Sequence, residues 1–437
     1  MHVTGIIAEY NPFHNGHRYQ LEQIRRVYPG STVIAVMSGS FVQRGEAALL
    51  DKWQRAELAI AGGCDLVLEL PFAFACRSAQ DFARGGVQLL ARLGVIDTLA
   101  FGAECSSLTT LTAIATAIDS PAVQTQLHER ISAGASYAQA LTELTASEAR
   151  IDASLLHTPN NILAIEYLRA LAEYPAIEPL LIPRAGAGYH NTDIAAPHAS
   201  ASAIRQLLSK AAKASHAAGG KLLLPQLTAC DSKALQEALP AAGFAAIRQL
   251  NASELPNLDR LLVPLQALML RTDNTALQEI AGINEGLENR LRDCLQTTRT
   301  YNEVLTAATT KRYPKSRIAR TLIHLLLGIT QAQLAEIDNA GPLYARVLAC
   351  GPRGRDLLKR IKKAETLPLI TKTSAFLTSS QRVQGPVTLS PLQQQLALDT
   401  MATDLRQLTL PQATQKRNDF QQSPRFFCPN LPADKSN

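Results

Sequence analysis

The stretch Val3-Thr-Gly-Ile-Ile-Ala-Glu-Tyr-Asn-Pro-Phe-His-Asn-Gly-His17 settles how the rest of the chain is read. Its first half is an apolar, β-rich run, and its second half breaks into Asn, Pro, Gly and two histidines. The residues that follow, "RYQLEQIRR", place apolar side chains at helical spacing. A first strand therefore hands over to a first helix that opens at Gly16 and His17. Such a helix start turns unpaired backbone N–H groups and the positive end of its dipole toward the sheet's carboxyl edge, which suits a phosphate. His14 and His17, three residues apart, can share one side of the first turn, and Gly16 lets a ligand approach the backbone. Imidazoles so placed can donate hydrogen bonds to phosphate oxygens as charge builds in a transition state. H-x-G-H alone is a weak signal; the strand-loop-helix setting gives it meaning.

The same alternation continues over the first two hundred residues. "VTGIIAEY" (3 to 10), "STVIAVMSG" (31 to 39), "DLVLELP" (65 to 71), "DTLAFGAE" (97 to 104) and "EPLLIPR" (178 to 184) read as buried strands. Helical patterns lie between them in "DKWQRAELAIAGG", "SAQDFARGGVQLLARLG" and "NNILAIEYLRALAEY". This rhythm predicts an α/β fold with a doubly wound parallel sheet, its ligand beyond the carboxyl ends of the strands at a topological switch point. Past "ASASAIRQLL" (199 to 208) strand signals nearly vanish, and about 225 to 363 reads as consecutive helices, "LYARVLACG" (343 to 351) among them. The expected division is an α/β domain over 1–215 and a mainly helical domain over 216–437. "LPLITKTS" (367 to 374) reads as a short extended piece, "PLQQQLALDTMATDLRQL" (391 to 408) as a late helix, "NDFQQSPRFFCPN" (418 to 430) as no recognisable element, and the final "PADKSN" as frayed.

With 437 residues, 46% of them hydrophobic and 18% charged, the composition is that of a folded globular chain with more than one domain. No apolar run approaches membrane-spanning length, and no secretory signal opens the chain. The seven cysteines (64, 76, 105, 230, 294, 350, 428) are odd in number and never spaced C-x-x-C, which argues against a disulfide framework or a thiolate zinc site and for the reducing cytoplasm. The net charge of +6 is unevenly spread: residues 301 to 363 hold twelve Lys/Arg against four Asp/Glu. Two runs carry this excess, one with Lys311, Arg312, Lys315, Arg317 and Arg320, the other with Arg353, Arg355, Lys359, Arg360, Lys362 and Lys363. Such clustering fits an RNA backbone neutralised by phosphate contacts. Those contacts position RNA without reading it, and the residues that would read a base do not stand out.

Several segments, in order, carry a resemblance: "GIIAEYNPFHNGHRYQL" (5 to 21), "MSGSFVQRGEAALLDKWQRAELAIAGGCDLVLELPF" (37 to 72), "FGAE" (101 to 104), "TPNNILAIEYLRAL" (158 to 171), "ASASAIR" (199 to 205) and "LPLITKTS" (367 to 374). With them the chain resembles the HxGH nucleotidylyltransferase superfamily and, more closely, the tRNA(Met) cytidine acetate ligase family. The resemblance implies that ATP and free acetate give an acetyl-adenylate, whose acetyl group passes to N4 of the wobble cytidine of elongator tRNA(Met). It implies an ATP loop over Gly5 to Leu21, including Ile7, Ala8, Glu9, Asn11, His14, Gly16 and His17, with nucleotide contacts from Gly102, Asn160 or Asn161, and Arg184. Mg²⁺ would bridge triphosphate oxygens, with no dedicated protein ligands assigned. In "ASASAIR" the serines Ser200 and Ser202 suit a helix cap and Arg205 a phosphate contact.

After the second strand, "SGSFVQRGEAALLDKWQRAE" offers Ser38, Ser40, Gln43, Arg44, Asp51, Lys52 and Arg55, where a mobile loop could close on acetate or triphosphate; Lys52 and Arg55 are the candidate catalytic cations, with solvated helix charges the bland alternative. Trp53 reads as core, and His190 and His198 as structural or exposed; Glu69 and Glu104, near strand ends, could bind Mg²⁺ or orient a base, although no carboxylate pair at ligand spacing stands out. A nucleotidylyltransferase acting on a small phosphorylated substrate would use the same loop but leaves the basic runs unexplained. A non-catalytic RNA-binding module would tolerate a decayed histidine loop, and here the loop is intact. No P-loop and no coenzyme A motif is present, so ATP activation is preferred over acetyl-CoA.

Overall fold

The apolar, β-branched runs of the first half form strands where their pattern places them. In the computed structural model, which describes residues 1–135, 137–184, 199–217, 227–385, 388–411 and 418–427, these are β1 (Val3–Ala8), β2 (Thr32–Ser38), β3 (Leu66–Leu70), β4 (Thr98–Ala103) and β5 (Glu178–Pro183). All five are parallel neighbours in the order β5-β4-β1-β2-β3. The chain builds outward from β1 through β2 to β3, then crosses back to lay β4 on the other side of β1. The switch point therefore lies between β1 and β4.

Both faces of the sheet are buried, as a parallel sheet requires. Ile6, Val33, Ala35 and Met37 pack on one face against Leu21 and Ile24 of the Asn15–Val27 helix and Trp53, Ala56 and Ala59 of the Lys52–Ala61 helix. Ile7, Ile34 and Val36 pack on the other against the Ala79–Arg92 and Pro159–Leu171 helices and, further out, the Lys315–Leu327 helix. Trp53 is core, as expected. Residues 108 to 149 form three helices that no strong amphipathic pattern announces.

The second half departs from its reading. Residues 343 to 351 do not continue the helices: Ala345–Cys350 is a strand, β6, lying antiparallel to β3 in the same sheet. Apart from Arg346 the run is apolar, and it is buried on both faces, so periodicity could not separate a strand from a buried helix. β7 (Leu369–Ile370) and β8 (Arg425–Phe426) both pair with β6. β6, β7 and β8 thus join the sheet of the first half, so its strands lie on both sides of the expected boundary between 215 and 216. The segment 418–427, expected to hold no element, supplies β8 and the buried Asp419. His190, His198 and the final "PADKSN" lie outside the described residues.

Candidate active site

A cavity opens at the switch point, at the carboxyl ends of β1, β4 and β5, lined by Ile7, Ala8 and Glu9, by Phe101 and Gly102, and by Ile182, Pro183 and Arg184. The turn from Tyr10 to His17 closes it from one side. Tyr10 has a left-handed φ of 45°, and its ring is held edge-on by Phe13 and His17. Asn11 Oδ1 accepts the Leu49 amide at 2.8 Å, which ties this turn to the loop after β2.

His14 is the N-cap of the Asn15–Val27 helix. Its Nδ1 accepts the Gly16 N–H at 3.0 Å, while His17 Nδ1 accepts the His14 N–H at 3.2 Å. The two imidazoles form a reciprocal capping box and stack with centroids 3.8 Å apart. A Cβ at position 16 would lie 2.8 Å from the His14 ring, so glycine lets the imidazole fold over the helix start. Because each Nδ1 accepts from the backbone, the hydrogen-bond pattern assigns the proton of a neutral ring to Nε2. Burial, with His14 and the Arg184 cation nearby, holds His17 well below its ordinary 6.5, so it is neutral at pH 7. The site thus offers two Nε2–H donors and the positive end of a helix dipole on one wall and a guanidinium among the rest, a set suited to a triphosphate.

Ile7, Ala8, Glu9, Asn11, His14, Gly16, His17, Gly102, Asn160 and Arg184 are thus brought together. Of the two adjacent asparagines, Asn160 lines the cavity and donates to Glu104 at 2.5 Å. Asn161 is fully buried, accepts the Cys105 amide and donates to the Leu155 carbonyl, so it shapes the wall from behind. Arg205 and Ser202 are not in the lining either. Arg205 donates to the Asn11 carbonyl at 2.9 Å and pairs with Glu46, buttressing the turn, while Ser200 caps its helix by accepting the Ala203 amide. Gln43, from the loop after β2, lines the cavity as well; Tyr10, Tyr19, Gln20 and Tyr167 also line it without having been singled out, and only their placement in the matched segments could have flagged them.

Lys52 and Arg55 are the clearest correction. Neither lines the cavity, and neither is a solvated helix charge. Lys52 Nζ lies 2.7 Å from Glu69 and 2.5 Å from Asp419, and Arg346 pairs with the same two carboxylates, making a four-charge cluster sealed from solvent. Arg55 spends its donors on main-chain carbonyls: Glu9 at 2.6 Å, Ser38 at 2.9 Å, Leu50 at 3.2 Å, and Gly39. It joins the ends of β1 and β2 and so sets the cavity rim without reaching into it. Glu69 is consumed in the ion-pair cluster and Glu104 in capping the Asn160–Asn161 turn.

The basic runs separate. The 311–320 run opens the Lys315–Leu327 helix, and Arg320 Nη1 donates to the carbonyl of Gln43, a cavity residue, at 3.3 Å. The loop bearing Gln43 sits tight on that helix: Gly45 has φ +76°, and a Cβ there would lie 2.6 Å from the Arg320 nitrogen. The 353–363 run lies at the other end of the sheet. Arg353 donates to the Gly30 and Ser31 carbonyls, just before β2, and Arg360 to that of Met1. Only the first run adjoins the cavity.

Residues 1–422 match the family model for HIGH nucleotidyl transferases. A tRNA(Met) cytidine acetate ligase of Syntrophomonas wolfei is 37% identical over 97% of this chain and 99% of its own length. The chain belongs to the tRNA(Met) cytidine acetate ligase family. The ligase of Syntrophotalea carbinolica is likewise 37% identical, over 97% of this chain and 98% of its own. Among solved structures, Thermotoga maritima TmcAL bound with α-thio ATP superposes with a TM-score of 0.82 at 29% identity, covering 98% of this chain and 99% of that one. Family membership and the ATP-analogue-bound relative agree with the parallel sheet and its H-x-G-H turn. Among the described residues no helix is long and apolar enough to cross a membrane.

Proposed function

We propose that this chain activates acetate with ATP and transfers the acetyl group to N4 of the wobble cytidine of elongator tRNA(Met), yielding N4-acetylcytidine, AMP and pyrophosphate. The observation that carries the reading is the stacked His14/His17 pair, with His17 neutral, at a helix N-terminus on the switch point, in a chain of this family. Acetate must approach the α-phosphorus while pyrophosphate leaves, so the protein's work is positioning and charge neutralisation. The Nε2–H groups of His14 and His17, at the positive end of the helix dipole, are suited to the phosphates. Gly102, Asn160 and the β5 end surround the nucleotide, and Arg184 takes part in neutralising charge.

Among the described residues no group of three His, Cys, Asp or Glu could hold a metal, and one carboxylate, Glu9, lines the cavity. A Mg²⁺ ion fits here only as a companion of the triphosphate, held by phosphate oxygens and water, where it would offset their charge. RNA approaches over Lys311, Arg312, Lys315, Arg317 and Arg320, the run adjoining the cavity. Arg55 acts by holding the rim, and Lys52 by holding the buried ion cluster.

Purified protein, ATP, labelled acetate and unmodified elongator tRNA(Met) test the reading directly. Label in N4-acetylcytidine with AMP release, lost in a His14→Ala/His17→Ala variant, is the expected result. Nucleotide transfer to a small phosphorylated substrate with no label in RNA would sink it.

A further inference from the structure

Acetyl transfer needs a proton acceptor that the phosphate-binding groups do not provide. When an exocyclic amine attacks the acetyl-adenylate, the C–N bond forms and the bond between the acyl carbon and the phosphate oxygen breaks. The electron pair leaves with AMP, and the nitrogen must give up one proton.

Neither histidine can take it in the arrangement observed. Each Nδ1 already accepts a backbone N–H, and each Nε2 carries the ring proton. Burial pushes the Tyr10 and Tyr167 phenols up, so they keep their protons at neutral pH. Arg184, Gln20, Gln43 and Asn160 are not bases. That leaves Glu9, the one carboxylate among the described residues of the lining.

Glu9 is also held as a base should be. It follows the last residue of β1, its carbonyl is fixed by Arg55 at 2.6 Å, and Oε1 accepts the Gln43 amide at 2.9 Å. Among the described residues, Oε2 receives no hydrogen bond. Burial raises the carboxyl above its ordinary 4.5, with Glu46 pushing the same way against the pull of the Gln43 amide, Arg205 and Arg44, so it is more basic than a solvated carboxylate. Gln43 also receives Arg320 from the basic helix, so a base delivered along that helix enters one residue away from Glu9.

We propose that Glu9 is the general base that accepts the N4 proton as cytidine attacks the acetyl-adenylate, releasing it to solvent after AMP departs. This rests on the acetyl-transfer reading given above. Glu9→Gln is the test, because glutamine keeps an oxygen for the Gln43 amide and removes only the proton acceptor. Adenylation is followed as acetate-dependent pyrophosphate exchange, transfer as N4-acetylcytidine formed in a single turnover, and folding by thermal melting. The expected result is a fall of about 10²–10⁴-fold in transfer relative to adenylation. The wild-type transfer rate should rise with pH as Glu9 ionises, and that rise should vanish in the variant. Transfer unchanged, or both half-reactions slowed in equal proportion, overturns the assignment. Wild-type protein that exchanges pyrophosphate but never acetylates tRNA overturns the underlying reading, and the assignment with it.

Discussion

Two helices start at the carboxyl ends of adjacent parallel strands, on the same face of one sheet, and both carry residues fit for catalysis. The helix after β1 opens with His14 and His17, the one after β2 with Lys52 and Arg55. The first lines a cavity; the second is sealed. What separates them is topology and what later chain covers each. β1 stands at the switch point, where neighbouring connections leave in opposite directions and a crevice opens. β2 and β3 run on in one direction toward β6, and Asp419 of the C-terminal segment and Thr403 of the late helix fill the space above them. A cation at a strand's carboxyl end is thus a site only where the sheet reverses.

The sharpest way to break this comparison is to unpair the sealed cluster. Lys52→Met leaves Glu69 and Asp419 sharing Arg346 alone, with a carboxylate uncompensated in a fully buried setting. Loss of one partner from a buried ion network costs about 3–5 kcal/mol. Urea denaturation should show that loss, while the adenylation rate per folded molecule stays within about threefold of wild type, since no step is assigned to Lys52. Wild-type stability with lost adenylation would return Lys52 to the active site.

The opposite pattern is expected at the first helix. His17→Ala removes one Nε2–H donor and one half of the capping box. Stability should fall by only about 1 kcal/mol, the usual size of a lost cap. Adenylation should fall about 10²–10³-fold, or about 2.7–4 kcal/mol of transition-state stabilisation. The proton balance sharpens this. Since His17's folded pKa is depressed below 6.5, the unfolded chain takes up the proton first. Its stabilising contribution is present above pH 6.5 and is lost as pH falls toward the folded value. An NMR titration in which His17 gains its proton at 6.5 or above would contradict the neutral-donor assignment.

The same contrast explains how far the sequence could be read. The five parallel strands were legible because each is a short apolar run bounded by Gly, Pro or polar turns. The H-x-G-H turn was legible because its chemistry is local: cap, glycine and both imidazoles lie within four residues. Lys52 was misassigned because its partners, Asp419 and Arg346, are remote in sequence, and the segment holding Asp419 has no pattern of its own. Ala345–Cys350 was misread because a strand buried on both faces loses the alternation that would mark it. Asn160 and Asn161 could not be told apart because the distinction depends on which side of the Pro159–Leu171 helix start meets Glu104 and Cys105.

The smallest effects should separate the two basic runs. RNA affinity falls with salt in proportion to the phosphates contacted, and each cation lost from the interface lowers the slope by about 1. Arg320 touches the carbonyl of the cavity residue Gln43, and Arg317, one turn back on the same helix, stacks on Tyr313 at 4.6 Å. Arg360 reaches the Met1 carbonyl, and Lys359 pairs with Asp356, at the far end of a six-residue strand, roughly 20 Å from the site by strand rise. An Arg317→Ala/Arg320→Ala variant should therefore lower the salt slope of tRNA binding by about 2, and Lys359→Ala/Arg360→Ala should leave it within about 0.5 of wild type. Equal reductions would mean that the RNA spans both ends of the sheet. A tRNA is long enough to do so, and the 353–363 run would then hold a part of it distant from the acetylated base.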